Sequence, residues 1–134
     1  MNLIETFGAK VGALSETNPQ RARALLSAGF RANGVKNKVA GKKATKSDRM
    51  LFQLVNHAMV DCLANPQQNV MVSLFTPCEM PHLQGLHPYS CEAFSSYLSG
   101  SMAEQPFLRQ AEDTGLPNSL CPYHKIFIGA AQAG

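Results

Sequence analysis

The chain has 134 residues, 45% hydrophobic and 16% charged, with four cysteines, no tryptophan and a formal charge of +3, a size and composition that suit one globular domain with a real core and exclude disorder throughout. Its longest nearly unbroken apolar stretch, Val70 to Phe75, falls far short of the roughly 18 residues of a membrane span, and Met1-Asn2-Leu3-Ile4-Glu5 has no secretory pattern, so a cytoplasmic protein with unpaired cysteines and no membrane partner is expected. Charge is uneven: residues 1 to 66 carry ten Lys and Arg against four acids, a balance of +6, and residues 67 to 134 carry two against five, a balance of −3.

Three helices are predicted before Pro66. Leu3, Ile4, Phe7, Val11 and Leu14 recur at helical spacing, and a second helix opens at Asn18-Pro19, a capping residue followed by proline at the first helical position, and ends near Asn33-Gly34. The stretch from Arg31 to Arg49 is rich in Lys and Gly, and with Gly34 and Gly41 as breakers it reads as a solvated basic loop. It could also contact phosphates through lysines such as Lys42 and Lys43, but the lack of interleaved aromatic residues argues against nucleic acid. The third helix, capped by Ser47 or Asp48, places Met50, Leu51, Leu54, Val55, Ala58, Met59, Cys62 and Leu63 on one apolar stripe and stops at Asn65-Pro66. His57 lies beside the stripe as a surface histidine, and Cys62 on it as a small core residue.

Beyond Pro66 the pattern changes. Residues 69 to 76 form a short β-branched run that suits a strand buried on both faces. A helical turn from Pro77 to Gly85, an extended segment from Leu86 to Ser90, and helices over 92–98, 103–114 and from Pro122 onward complete the order. Strand, helix, extended segment, helix is the grammar of an open α/β sheet. The expected organisation is therefore a helical region, 1–66, and a partial α/β lobe, 67–134. A sheet with so few strands has open edges that favour self-association.

Pro122 suits the first turn of a helix, which puts Cys121 at the cap, where backbone N–H groups and the helix dipole favour a thiolate, the form that binds soft metals. Cys78, Cys91 and Glu79 fall at the carboxyl ends of the two extended segments, the edge where open α/β sheets bind ligands. A zinc reading rests on Cys78-x-x-x-His82, His87-x-x-x-Cys91 and Cys121-x-x-His124, but Pro81 interrupts the first pair and no CxxC pair is present. Dinucleotide and P-loop glycine motifs and a GxSxG elbow are absent.

Residues 70 to 131, above all Pro77-Cys78-Glu79 after the strand, Leu120-Cys121-Pro122-Tyr123 at the helix start and Gly129 within that helix, resemble the 2-hydroxyacyl-CoA dehydratase and benzoyl-CoA reductase family, of the 2-hydroxyglutaryl-CoA dehydratase D-component type. The resemblance implies Rossmann-like lobes, a heterodimer of two related subunits each holding a 4Fe-4S cluster on three cysteines, and an ATP-dependent iron–sulfur activator protein. The implied lyase reaction eliminates water from a 2-hydroxyacyl-CoA after one electron makes a ketyl radical on the thioester carbonyl. Carried onto this sequence, it makes Cys121 and Cys91 cluster ligands, with Cys78 as substitute or third ligand unless that ligand lies outside this chain, and gives Glu79 a site-shaping role. Family subunits are longer, so the chain reads as an N-terminal fragment. The alternative is a non-catalytic zinc-binding or interaction module of the same fold.

Overall fold

The computed structural model describes residues 2–40 and 44–133. It is mostly helical, with seven helices and a small parallel sheet among the described residues. Helix α1 (Leu3–Thr17) starts at Asn2: Ile4 N–H donates to the Asn2 side-chain oxygen, and Asn2 N–H donates to the Glu5 carboxylate. This reciprocal pairing satisfies two amide donors that a helix start otherwise leaves open. Helix α3 (Lys46–Ala64) uses the same device with Thr45 and Asp48, so the cap is Thr45 and not Ser47 or Asp48 as the sequence suggested. Asp48 is instead the reciprocating partner, and the Thr45 hydroxyl and N–H hold its carboxyl below the ordinary range.

Helix α2 (Pro19–Ala40) corrects the sequence reading further. The helix runs through residues expected to belong to a solvated loop, because Gly34 is a packing contact and not a breaker. A Cβ at this position would meet Asn56 Nδ2 of α3 at 2.7 Å. The Asn37 side chain adds a bond to the Asn33 carbonyl, at 3.0 Å. Lys42 and Lys43, the lysines singled out for phosphate contact, lie outside the described residues.

Burial on α3 also departs from expectation. Its buried face is Asn56, Met59 and Leu63, while Met50, Leu51 and Leu54 are 73%, 62% and 68% exposed. Among the described residues the buried side chains of α2 are Ala22, Leu26 and Phe30, between its start and its middle. The antiparallel pair therefore joins the core at one end only, and the apolar first half of α3 reaches beyond it.

A 3-10 turn (Pro66–Gln68) leads into β1 (Asn69–Val72), which pairs in parallel with β2 (His87–Ser90), Asn69 opposite His87 and Val72 opposite Ser90. The crossover carries α4 (Glu79–Leu83). The strand is half the predicted length and only partly buried. Its end is chemical: Ser73 to Thr76 closes a turn through Thr76 N–H to the Ser73 carbonyl and a hydroxyl contact of 3.0 Å, leaving Leu74 and Phe75 exposed. Each strand has one unpaired edge among the described residues.

Helices α5 (Cys91–Gly100), α6 (Gln105–Asp113) and α7 (Pro122–Ala133) follow. Helix α6 ends as its Gly115 predicts. Gly115, at φ 94°, donates to Glu112 and Leu116 to Ala111, satisfying carbonyls of the last turn. One hydrophobic cluster gathers Val11, Phe30, Met59, Tyr89, Leu98, Phe107 and Ile126, so the segments before and after Pro66 share a core. The Tyr89 hydroxyl donates to the Met59 thioether, and the Phe30 and Tyr97 rings meet edge to face at 5.5 Å. No helix among the described residues is long and apolar enough to cross a membrane.

Candidate functional site

Parallel pairing places the carboxyl ends of both strands on one edge of the sheet. The chain leaves that edge twice, into the Ser73–Cys78 loop and into α5, whose first residue is Cys91. Glu92, the second residue of α5, ties the two exits together. Its carboxylate accepts from the Ser90 hydroxyl at 2.8 Å and from the Cys91 thiol at 3.2 Å, and the Leu74 backbone N–H adds a smaller favourable influence on its charge. With its own N–H and these donors around the charge, the carboxyl falls to about 2. Ser90 also caps α5 by accepting from Ala93 N–H at 3.2 Å.

One turn along α5, the buried Ser95 hydroxyl donates to the Tyr123 carbonyl at 2.6 Å. This bond seats the first turn of α7 against α5. Cys121 stands just before that turn, its carbonyl accepting from His124 and Lys125 N–H at 3.0 and 3.2 Å, which is the cap position expected from Pro122. The Cys121 side chain is exposed, and the His124 imidazole, then the Tyr123 and His124 amides, lower its thiol from the ordinary range. His124 Nδ1 is buried without a protein partner.

The other cysteines differ in chemistry. Cys91 is buried, and burial followed by the adjacent Glu92 carboxylate raises its thiol. Cys78 is half-buried at the start of α4 and donates to the Thr76 carbonyl at 3.3 Å. Cys62, half-buried against the core as read from the sequence, is pushed up to about 11 by burial. His57 is a surface residue, 2.8 Å from Asp61. Glu79 is exposed at the start of the five-residue α4. The carboxylate that organises the edge is Glu92, which the sequence reading passed over, although Ser90 followed two residues later by Glu at a helix start is a legible capping signal.

Among the described residues no three His, Cys, Asp or Glu side chains come together to hold a metal ion. A 4Fe-4S cluster on three cysteines of this chain, and equally a zinc site on the cysteines and histidines, is therefore not assembled by these residues. Cys121 has the exposure and thiolate character of a ligand. No family model matches the chain, and no curated protein or solved structure matches it either.

Two outcomes follow from this geometry. In alkylation with iodoacetamide, Cys121 is expected to react first, with a rate-versus-pH midpoint below that of a free cysteine, because a lowered pKa keeps the thiolate present at lower pH. His124→Ala should move that midpoint upward, and a midpoint unaffected by this change would remove the imidazole from the account. In acid unfolding, the Glu92 carboxylate stabilises the fold above the unfolded-state value of roughly 4.3, and that contribution is lost as the pH falls toward about 2. Glu92→Gln should flatten the stability curve over that window; an unchanged slope would show that the three donors do not hold the carboxylate.

Proposed function

We propose that this chain is part of a component of a radical-type 2-hydroxyacyl-CoA dehydratase, its two parallel strands belonging to a Rossmann-like lobe. The observation that supports the reading is the placement of Cys91 and Glu92 where β2 passes into α5, with the Ser95 bond seating on that same helix the start of α7, which the exposed Cys121 precedes. It agrees with the residues of the resemblance, Pro77-Cys78-Glu79 and Leu120-Cys121-Pro122-Tyr123. In this reading Cys121 contributes one thiolate ligand, and Cys91 or Cys78 joins it only after the edge rearranges. The remaining ligand comes from outside the described residues. Ser95 sets the height of the α7 start, and Glu92 holds the loop after β1 against α5. A related subunit and an ATP-dependent activator are the implied partners, and a 2-hydroxyacyl-CoA the substrate.

The test is anaerobic reconstitution with iron and sulfide of the protein that carries this chain. Broad absorption at about 400 nm, from thiolate-to-iron charge transfer, is expected, and Cys121→Ala should abolish or halve it. A spectrum untouched by that substitution refutes the ligand assignment. One equivalent of tightly bound zinc without sulfide would favour the zinc-binding module.

A further inference from the structure

A second site lies away from the cysteine edge. Between the start of α2, the end of α3, β1 and the inner side of α7 is an open cavity of about 220 Å³ whose walls are largely apolar, among them Leu26, Phe94, Phe107 and Phe127. None of Cys78, Cys91 and Cys121 lines it. Cys62 does, but with its pKa near 11 it presents a neutral thiol, chemically another apolar wall. A closed apolar cavity of about 150 Å³ accepts benzene, so this one has room for a chain of about six to eight carbons.

Next to it runs a more polar groove of about 400 Å³ along α2 and the end of α3. Gln20, Arg23, Ser27 and Arg31 line this groove at spacings of three, four and four residues, which places them on one face of α2. All four side chains can donate hydrogen bonds. None of them makes a side-chain hydrogen bond or ion pair among the described residues, and no acidic residue lines either space. Arg23 lines both, as the boundary between the apolar cavity and the donor-lined groove.

We infer that the two spaces together bind an amphipathic carboxylate, a fatty acid of medium chain length, with its hydrocarbon in the cavity and its carboxylate on Arg23 and the neighbouring donors of α2. The apolar walls give affinity by burying the chain. The guanidinium, planar and always charged, fits a carboxylate through two parallel bonds and selects the anion over a neutral molecule of equal length. Asp61, the acid of α3 nearest the groove in sequence, is engaged with His57 and lines neither space. This site stands independently of the dehydratase reading, because it shares no cysteine with that edge.

The test titrates the chain with octanoate and with 1-octanol, followed by backbone amide NMR shifts and calorimetry. Octanoate should bind saturably, with shifts at Leu26, Cys62 and Phe127, and at least about tenfold more tightly than octanol. Arg23→Met keeps the apolar stem and removes the charge; it should cost octanoate at least tenfold and leave octanol unchanged, while Arg23→Lys retains part of the preference. Ala131→Phe, which fills the cavity, should remove both ligands. Thermal melts establish that each variant is folded, and Arg23→Lys carries the comparison if Arg23→Met is not. Equal affinity for octanoate and octanol with no effect of Arg23 would overturn the carboxylate site, and absence of saturable binding of either would overturn the cavity assignment. Loss of octanoate on Cys121→Ala would instead place the ligand at the cysteine edge.

Discussion

Replacing Gly129 with alanine should destabilise the protein by about 3 kcal/mol or more, and with leucine prevent folding. A Cβ at Gly129 would lie 1.9 Å from the Phe107 carbonyl oxygen and 2.7 Å from its carbon, so the obstacle is the backbone of α6 and not a movable side chain. Among the described residues the two helices share an extensive contact, and the added methyl forces them apart. Phe107 and Ile126, both in the shared core, would lose packing as they separate. Gly100, the last residue of α5, is the internal control. Nothing stands within 4 Å of a Cβ there, and Gly100→Ala should be neutral or stabilising by up to about 1 kcal/mol. Urea unfolding of the two variants separates the cases, and similar midpoints for both would show that α6 and α7 can yield.

The second large effect concerns Lys125, which is only 5% exposed on α7 and whose ammonium meets Glu112 of α6 at 2.5 Å. Glu112→Ala leaves a buried ammonium without a counter-charge, and should cost about 2–4 kcal/mol. Lys125→Met substitutes an apolar chain of similar length and leaves a carboxylate that is 38% exposed on its side chain and remains hydrated, so its cost should stay near 1 kcal/mol. The double variant Glu112→Ala, Lys125→Met should recover most of the loss. Equal costs for the two single variants would mean that water reaches Lys125. Because Cys121 stands immediately before α7, this pair and the Gly129 contact also hold that cysteine in place: both changes should make its alkylation less dependent on His124.

Local chemistry, written in consecutive residues, was legible along the chain. Asn18-Pro19, Asn65-Pro66, Gly115 and Cys121-Pro122 mark helix boundaries where the structure has them, since capping and proline geometry act within a turn and need no distant partner. The order of three helices and then two extended segments, with helices between and after, was legible for the same reason, from periodicity and punctuation, whereas the parallel pairing of the two segments came from the structure.

What lay beyond the sequence depends on what stands opposite. Periodicity showed an apolar stripe on α3, but the core turned out to receive Asn56, Met59 and Leu63 and to leave Leu51 and Leu54 outside, because burial is set by where α2 and the sheet end. Gly34 reads as a breaker in isolation and is a helix crossing once Asn56 faces it. The β-branched run of 69–76 indicated a strand, yet its partner offers only four residues and the Ser73–Thr76 turn takes over. Lys125 carries no signal of burial, and Glu92 and Ser95 none of their long-range bonds, since Glu112, Leu74 and Tyr123 are brought to them only by the fold. The sequence thus determined the elements and the thiolate-favouring start of α7, whereas packing between elements decided which carboxylate orders the edge and that the cysteines stand without a shared metal position among the described residues.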